Sequence, residues 1–152
     1  MVALALTLTL LLPRQGVLVP WQSLGGVSLG MTQAQVEQRW GTHFGRCRDC
    51  GQQTWYFNYE PFQPEGAAVR FAKGRVDAVW TLWKPDGWRL GPFQLGAPAA
   101  ALTGRWAALE TVPCNNYEAR IATKRGVTTV LYVYAEQLWG FGLGRPGASP
   151  CH

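Results

Sequence analysis

Apolar residues in the segment GVSLGMTQAQVEQRWG, 26–41, recur at the spacing of a short helix. Val36 and Trp40 are four residues apart, so their side chains share one helical face. Thr32 is a favourable N-cap, and Gln35, three residues later, completes a capping box. The pattern predicts a short helix that buries one stripe.

A related pattern returns in FQLGAPAAALTGRWA, 93–107. Both segments read Leu-Gly, five residues, an aliphatic residue, two residues, then Arg-Trp and a small residue. Leu102 and Trp106 stand where Val36 and Trp40 stand in the first segment. We interpret the likeness as common ancestry, and it predicts a second helix with Trp40 and Trp106 at equivalent buried sites.

The stretch VRFAKGRVDAVW, 69–80, alternates as a β-hairpin does. Lys73 and Gly74 suit a two-residue turn, which places Phe71 opposite Val76. One face of this hairpin is then the core. It is made of Val69, Phe71, Val76, Ala78 and Trp80.

A similar hairpin is predicted at 131–142, with Ala135 and Glu136 in the turn and Val133 opposite Leu138. The side chains of Leu131, Val133 and Leu138 are expected to point towards the helices. The opposite face is unusually aromatic and carries Val130, Tyr132, Tyr134, Trp139 and Phe141.

These elements predict an α+β fold. Two tandem helix-plus-antiparallel-strand repeats, 17–90 and 91–152, share one sheet, with both helices on one face. An additional strand over 54–59 precedes the first hairpin.

The run of Val27, Leu29-Gly30, Met31-Thr32 and Val36, followed by a small helix and a β-meander, resembles the repeat of the β-lactamase-inhibitory-protein family. It is also similar to small outer-membrane assembly lipoproteins with a helix-plus-strand fold. The resemblance implies tandem α+β repeats, export, disulfides within each repeat and protein binding without catalysis. In the inhibitory proteins, aromatic side chains on the exposed sheet face grip the target.

The first twelve residues, MVALALTLTLLL, are too short to span a bilayer. They resemble the hydrophobic part of a secretory signal, so 1–16 is the predicted signal peptide. A buried N-terminal strand is the alternative. The mature chain is then expected to be secreted or associated with the cell envelope, with no transmembrane segment.

An even number of cysteines behind an export signal favours disulfides. The pairs Cys47–Cys50 and Cys114–Cys151 each stay within one half of the chain. The same Cys-x-x-Cys spacing also occurs in redox motifs and zinc sites. However, a thioredoxin-like motif follows a strand and opens a helix, whereas this motif follows a predicted helix and precedes a predicted strand. A zinc site would need further ligands, such as His43, to converge on the two cysteines.

The net charge of +5 is spread along the chain without a long basic run, so no nucleic-acid partner is expected. No catalytic residues, metal or cofactor are predicted. Glu60 and Glu65 flank a proline-rich turn and are interpreted as a solvated pair of loop acids, not as catalytic carboxylates. The glycine-rich stretch 140–144 is not followed by a helix, as a phosphate-binding loop would be.

The predicted function is therefore a secreted, non-enzymatic protein-binding module, with an inhibitor as one form of it. Its partner is another protein or a cell-envelope component. Candidate binding residues are Tyr132, Tyr134, Trp139, Phe141, Trp83 and Trp88. The competing interpretation of the aromatic face is that a C-terminal tail held by Cys151, or the segment 15–24, covers it. The alternative functions are an exported thiol–disulfide oxidoreductase using Cys47 and Cys50, and a structural envelope module.

Overall fold

The structure is a computed structural model that describes residues 16–47, 51–60, 65–83 and 85–152. Within these ranges the chain forms one α-helix, α1 (Gln33–Trp40), and two short 3-10 helices, Ala99–Ala101 and Gly104–Trp106. The strands are β1 (Leu18–Val19), β2 (Ser23–Leu24), β3 (Gly45–Arg46), β4 (Gln53–Glu60), β5 (Glu65–Ala72), β6 (Arg75–Leu82), β7 (Arg89–Leu90), β8 (Phe93–Gln94), β9 (Glu110–Pro113), β10 (Glu118–Lys124), β11 (Val127–Tyr134) and β12 (Gln137–Gly144).

Eight of these strands form one antiparallel sheet in the order β3-β4-β5-β6-β12-β11-β10-β9. Strands β3 to β6 lie side by side in chain order, and strands β12 to β9 continue the sheet in reverse chain order. Consequently the N-terminal and C-terminal groups of strands meet at the centre of the sheet. Two small ribbons, β1-β2 and β7-β8, lie outside it.

The predicted α+β fold of two tandem helix-plus-strand repeats, with both helices on one face, is wrong, because the chain is β-rich and its second predicted helix does not form. The first helix has the expected capping box, in which the Thr32 side chain and Gln35 bond to each other's backbone N–H groups. In the second segment no side chain caps the start at Pro98, and Gly104 has a φ of 60°. An α-helix requires negative φ, so the chain breaks into two 3-10 turns instead.

The two long hairpins have the predicted pairings, Phe71 with Val76 and Val133 with Leu138. Both turn residues of each hairpin have positive φ, 51° and 73° in 73–74 and 47° and 60° in 135–136. Such angles are those of the tight turn that matches strand twist. The absence of glycine in the second turn therefore does not change its geometry.

Each hairpin contains a β-bulge that the alternation did not predict. One extra residue, Asp77 in β6 and Trp139 in β12, stands between the paired positions. A single inserted residue moves everything beyond it to the opposite face. Phe141 therefore points to the helix side, whereas Ala78 and Trp80, predicted to lie with Val69, point to the other side.

The sheet is consequently buried on both faces. The larger core lies under α1 and the ribbons, where Trp55 stacks on Phe44 with ring centroids 4.0 Å apart. Trp106 is buried there as expected, but Trp40 is only half-buried, with its indole N–H donating to the Gly25 carbonyl. The smaller core lies on the opposite face. Its buried members are Ala68, Ala78, Trp80, Leu82, Ala119, Val130 and Tyr132.

Glycines in β12 allow the two central strands to approach. A Cβ atom added at Gly140 would lie 2.1 Å from the Thr81 carbonyl oxygen. One added at Gly142 would lie 2.6 Å from the Val79 carbonyl oxygen. Both contacts are with rigid backbone, so the glycine-rich stretch serves strand pairing and not phosphate binding.

We predict that Gly140→Ala and Gly142→Ala each destabilise the fold by about 3 kcal/mol, because the added methyl group forces β12 away from β6. Gly144→Ala is the matched control, since nothing lies within 4 Å of its added Cβ on the same strand. Urea unfolding of the three variants measures the difference. Equal stability of all three would contradict the close approach of these strands.

Candidate functional site

The C-terminal tail covers the aromatic face of the sheet, as the competing interpretation held. Tyr132 is 1% exposed, and its hydroxyl donates to the Pro150 carbonyl at 3.0 Å. The Tyr117 hydroxyl donates to the main-chain oxygen of His152 at 2.9 Å and accepts from the His152 N–H at 2.7 Å. Two tyrosines on the sheet thus hold the backbone of the tail.

A disulfide fixes the tail at the same place. Cys114, directly after β9, is bonded to Cys151 with a Cα–Cα distance of 5.6 Å, so the predicted Cys114–Cys151 bridge is present. The bridge joins an edge of the sheet to a tail that would otherwise fray. Cys47 is also disulfide-bonded, but Cys50 lies outside the described residues, and the predicted Cys47–Cys50 pairing stays a prediction.

The imidazole of His152 completes this cover. It stacks on the Trp80 indole with centroids 3.7 Å apart and an interplanar angle of 4°. Desolvation against the sheet, and secondarily the positive charge of Arg70, lower the pKa of His152 from 6.5 to about 3. His152 as a whole residue is nevertheless exposed, so solvent screens part of this penalty.

The sheet beneath the tail carries one buried ion pair. Arg70 Nε lies 2.9 Å from Asp77 Oδ1, and Asp77 is the bulge residue of β6. Desolvation by burial is also the main cause that raises the pKa of Tyr132 well above its usual value of 10.0. This part of the face is thus a closed polar and aromatic core, not a free binding surface.

The six predicted binding residues consequently divide into two groups. Tyr132, Phe141 and Trp88 are buried, at 1%, 0% and 8% exposure, so we correct their assignment to an exposed site. Tyr134 is 45% exposed and Trp83 is 36% exposed, while Trp139 is half-buried and packs against the smaller core.

Tyr134 lies at the rim of the tail-covered face, whereas the Trp83 ring lies against Gly96. The Tyr134 and Trp139 ring centroids are 5.5 Å apart, and Trp139 also contacts Tyr117 at 5.3 Å. The backbone N–H of Trp83 donates to the carbonyl of Trp139. This rim leads directly into an open groove, because Tyr117 and Tyr134 also line it.

The groove has a volume of about 1070 Å³ and lies between the 98–102 turn, β9, β10 and the β11–β12 turn. Its lining combines small apolar side chains with polar and charged ones. The lining residues are Pro98, Ala99, Ala100, Leu102, Ala107, Thr111, Pro113, Cys114, Asn115, Asn116, Tyr117, Glu118, Arg120, Val133, Tyr134, Ala135 and Glu136. We define these residues as the groove.

Beside the groove, the second half of the sheet carries different side chains from the first half. Trp55 pairs with Val69 in the first hairpin region, and Arg120 pairs with Leu131 at the corresponding register of the second. Similarly, Phe71 corresponds to Val133, since they pair with Val76 and Leu138. The aromatic rings that fill the first half of the sheet under α1 are thus replaced by a charged and a small side chain.

One ion pair is fixed inside the groove. Both Arg120 Nε and Arg120 Nη2 donate to Glu118 Oε1, at 2.9 and 2.6 Å. Neither residue was predicted from the sequence. The available signal was a pair of charged residues, at 118 and 120, on the core-facing side of a strand. The β4 residue that corresponds to Arg120 is Trp55.

Among the described residues no group of three histidine, cysteine, aspartate or glutamate side chains is arranged to hold a metal ion. Glu60 and Glu65 flank residues outside the description, and their side chains are not described either. The lining of the groove contains no histidine, and its only cysteine is in a disulfide.

No protein-family model and no curated protein match the chain. Its fold is similar to that in the crystal structure of an extracellular protein containing a SCP domain from Bacillus anthracis str. Ames, with a TM-score of 0.51 and 10% sequence identity. The match covers 78% of this chain, which spans 44% of that one. At this identity the likeness concerns the fold alone. No helix in the described part of the chain is long and apolar enough to cross a membrane.

We predict that the Cys114→Ser/Cys151→Ser double variant is about 4 kcal/mol less stable, because the unfolded chain loses a constraint over 37 residues. Release of the tail should also expose Tyr132 and Trp80. Denaturant unfolding and binding of a fluorescent hydrophobic dye measure the two effects. Asn115→Ala, which leaves the bridge intact, is the control, and an unchanged double variant would contradict the covering role.

A second prediction concerns pH. Because the folded pKa of His152 lies below its unfolded value of 6.5, the unfolded state binds the extra proton first. Stability should therefore decrease as the pH falls from about 6.5 towards 3. An NMR titration should show a His152 pKa below 6.5, and Trp80→Leu should raise it again. An ordinary pKa in the native protein would contradict the stacked arrangement.

Proposed function

We propose that this protein is a secreted, non-enzymatic binding protein that holds a segment of another protein in the groove. The observation that carries this proposal is an open groove of about 1070 Å³ with an exposed aromatic residue, Tyr134, at its rim. Apolar concave surface beside an exposed aromatic anchor is typical of protein interfaces.

The first half of the sheet indicates which side chain would fit. There Trp55 and Phe44 stack against each other and pack against Phe71 and Phe57 in the core. At the corresponding place in the groove the sheet presents Val133 and Arg120. A large apolar or aromatic side chain of a partner would fill this space as the first half fills it with its own rings.

The ion pair between Arg120 and Glu118 would orient the partner segment in the groove. Arg120 is held by Glu118 on one side, so its guanidinium plane is fixed before a partner arrives. A fixed guanidinium can donate its remaining N–H groups to a carbonyl or carboxylate of the partner without losing further side-chain freedom. An apolar anchor flanked by one such contact defines a short recognised segment.

Secretion is supported by three observations of different kinds. The Cys114–Cys151 disulfide is of a type that persists in oxidising compartments. The apolar segment 1–12 resembles a secretory signal, although it lies outside the described residues. The protein of similar fold is extracellular. The resemblance to β-lactamase-inhibitory proteins stays a prediction, with an inhibitor as one form of the function.

Photocrosslinking from position 134 tests the proposal. Tyr134 is replaced by p-benzoylphenylalanine, which preserves an aromatic ring, and the protein is exposed to its native extracellular medium. Position 73, the exposed turn of the other long hairpin, carries the same crosslinker as the control. We expect a defined protein adduct from position 134 and none from position 73.

With the captured partner purified, Tyr134→Ala should weaken binding by about 2 kcal/mol, roughly 30-fold, without lowering stability. Lys73→Ala should leave the affinity unchanged. Equal affinities of both variants would contradict binding at the groove. Disulfide exchange that requires Cys47 and Cys50 would instead support the oxidoreductase alternative.

A further inference from the structure

A second cleft, of about 530 Å³, lies at the opposite end of β10 from the groove. Lys124 closes β10 at this end, six residues beyond Glu118 in the groove, which corresponds to about 20 Å along a strand. The lining residues are Val17, Leu18, Val19, Pro20, Trp21, Gln22, Leu90, Gly91, Pro92, Arg105, Trp106 and Lys124. We call this the basic cleft.

Trp21 forms the fixed centre of the basic cleft. Its backbone N–H donates to Thr129 Oγ1 and its indole N–H donates to the Ala122 carbonyl, each at 2.9 Å. The ring also stacks on Trp106, with centroids 5.8 Å apart and an interplanar angle of 23°. The indole N–H, which is the single polar group of the Trp21 side chain, is thus hydrogen-bonded, and the ring is held as a rigid platform.

Two cations lie on this platform. The Arg105 guanidinium carbon is 5.7 Å from the centroids of both Trp21 and Trp106, and Lys124 Nζ is 5.3 Å from that of Trp21. Cation–π contacts position a charge but do not neutralise it. Among the described residues, neither cation forms a hydrogen bond or an ion pair, and the lining contains no carboxylate.

The basic cleft therefore concentrates two positive charges on one aromatic platform. The two charges lie 5.7 and 5.3 Å from the centroid of the same ring, so an anion bound beside that ring would be attracted by both. Arg105 retains its N–H donors for a planar acceptor such as a carboxylate. Both side chains are exposed, so a ligand reaches them without rearrangement of the fold.

We propose that the basic cleft binds an acidic peptide segment of a partner protein, with carboxylates on Arg105 and Lys124. The other lining residues, among them Val19, Pro20 and Pro92, are mostly uncharged and apolar, which suits aliphatic side chains between the acidic ones. Trp106 and the two cations already contact the Trp21 ring, so that ring is a poor platform for stacking a sugar or a base. This surface is separate from the groove and does not depend on the proposed function.

The test uses a fluorescein-labelled, acetylated peptide of alternating glutamate and leucine, and measures its affinity by fluorescence anisotropy. Arg105→Gln and Lys124→Gln should each weaken binding about tenfold or more, as expected for loss of a hydrogen bond to a charged group. Arg125→Gln removes the same charge from the neighbouring exposed residue and is the matched control. It should change the affinity by less than about twofold, since an exposed charge outside the site acts only through screened attraction. Thermal unfolding confirms that all three variants remain folded.

Equal weakening by all three variants would show nonspecific attraction to net charge and would overturn the proposal. So would the absence of binding by the wild-type protein. Dextran sulfate or a single-stranded oligonucleotide binding in preference to the peptide, with the same dependence on Arg105 and Lys124, would overturn it in favour of a glycan or nucleic-acid site. Tyr134→Ala should leave peptide binding intact, which separates this test from that of the groove.

Discussion

The pairing of β6 with β12 is the constraint on which the remainder of the structure depends. It joins the N-terminal and C-terminal strands into one sheet, and it requires Gly140 and Gly142 because no Cβ atom fits against the facing backbone. A continuous eight-stranded sheet of this kind has two broad faces, and both must be covered to bury its apolar side chains. Helix α1 and the small ribbons cover one face.

The C-terminal tail covers part of the other face, and this sets where binding can occur. The disulfide from Cys114 to Cys151 and the stack of His152 on Trp80 convert a row of aromatic residues into core. Tyr134, at the rim of this face, stays exposed. The groove lies on the second half of the sheet, which among the described residues has neither an α-helix nor the packed rings of Phe44, Trp55 and Phe71 that lie on the first half.

Local patterns in the sequence predicted what depends on neighbouring residues. The capping box at Thr32 and the pairings of both long hairpins are of this kind. The bulge at Trp139 was not predictable from alternation, because apolar residues and glycines occupy both faces of β12 and hide the shift, and it moved Phe141 into the core. The loss of the second helix followed from Gly104, which outweighed the matching Leu102 and Trp106 spacing. The groove and the basic cleft depend on contacts between distant segments, which composition and spacing do not specify.

Photochemically induced dynamic nuclear polarisation of the native protein tests most directly that the tail closes the aromatic face. This NMR measurement enhances the tyrosine, tryptophan and histidine side chains that a dissolved dye can reach. We expect a strong signal from Tyr134 and none from Tyr132 or Trp80. Enhancement of Tyr132 to the level of Tyr134 would contradict this expectation, because the face would then be open and the site would have to include the residues that we assign to the core.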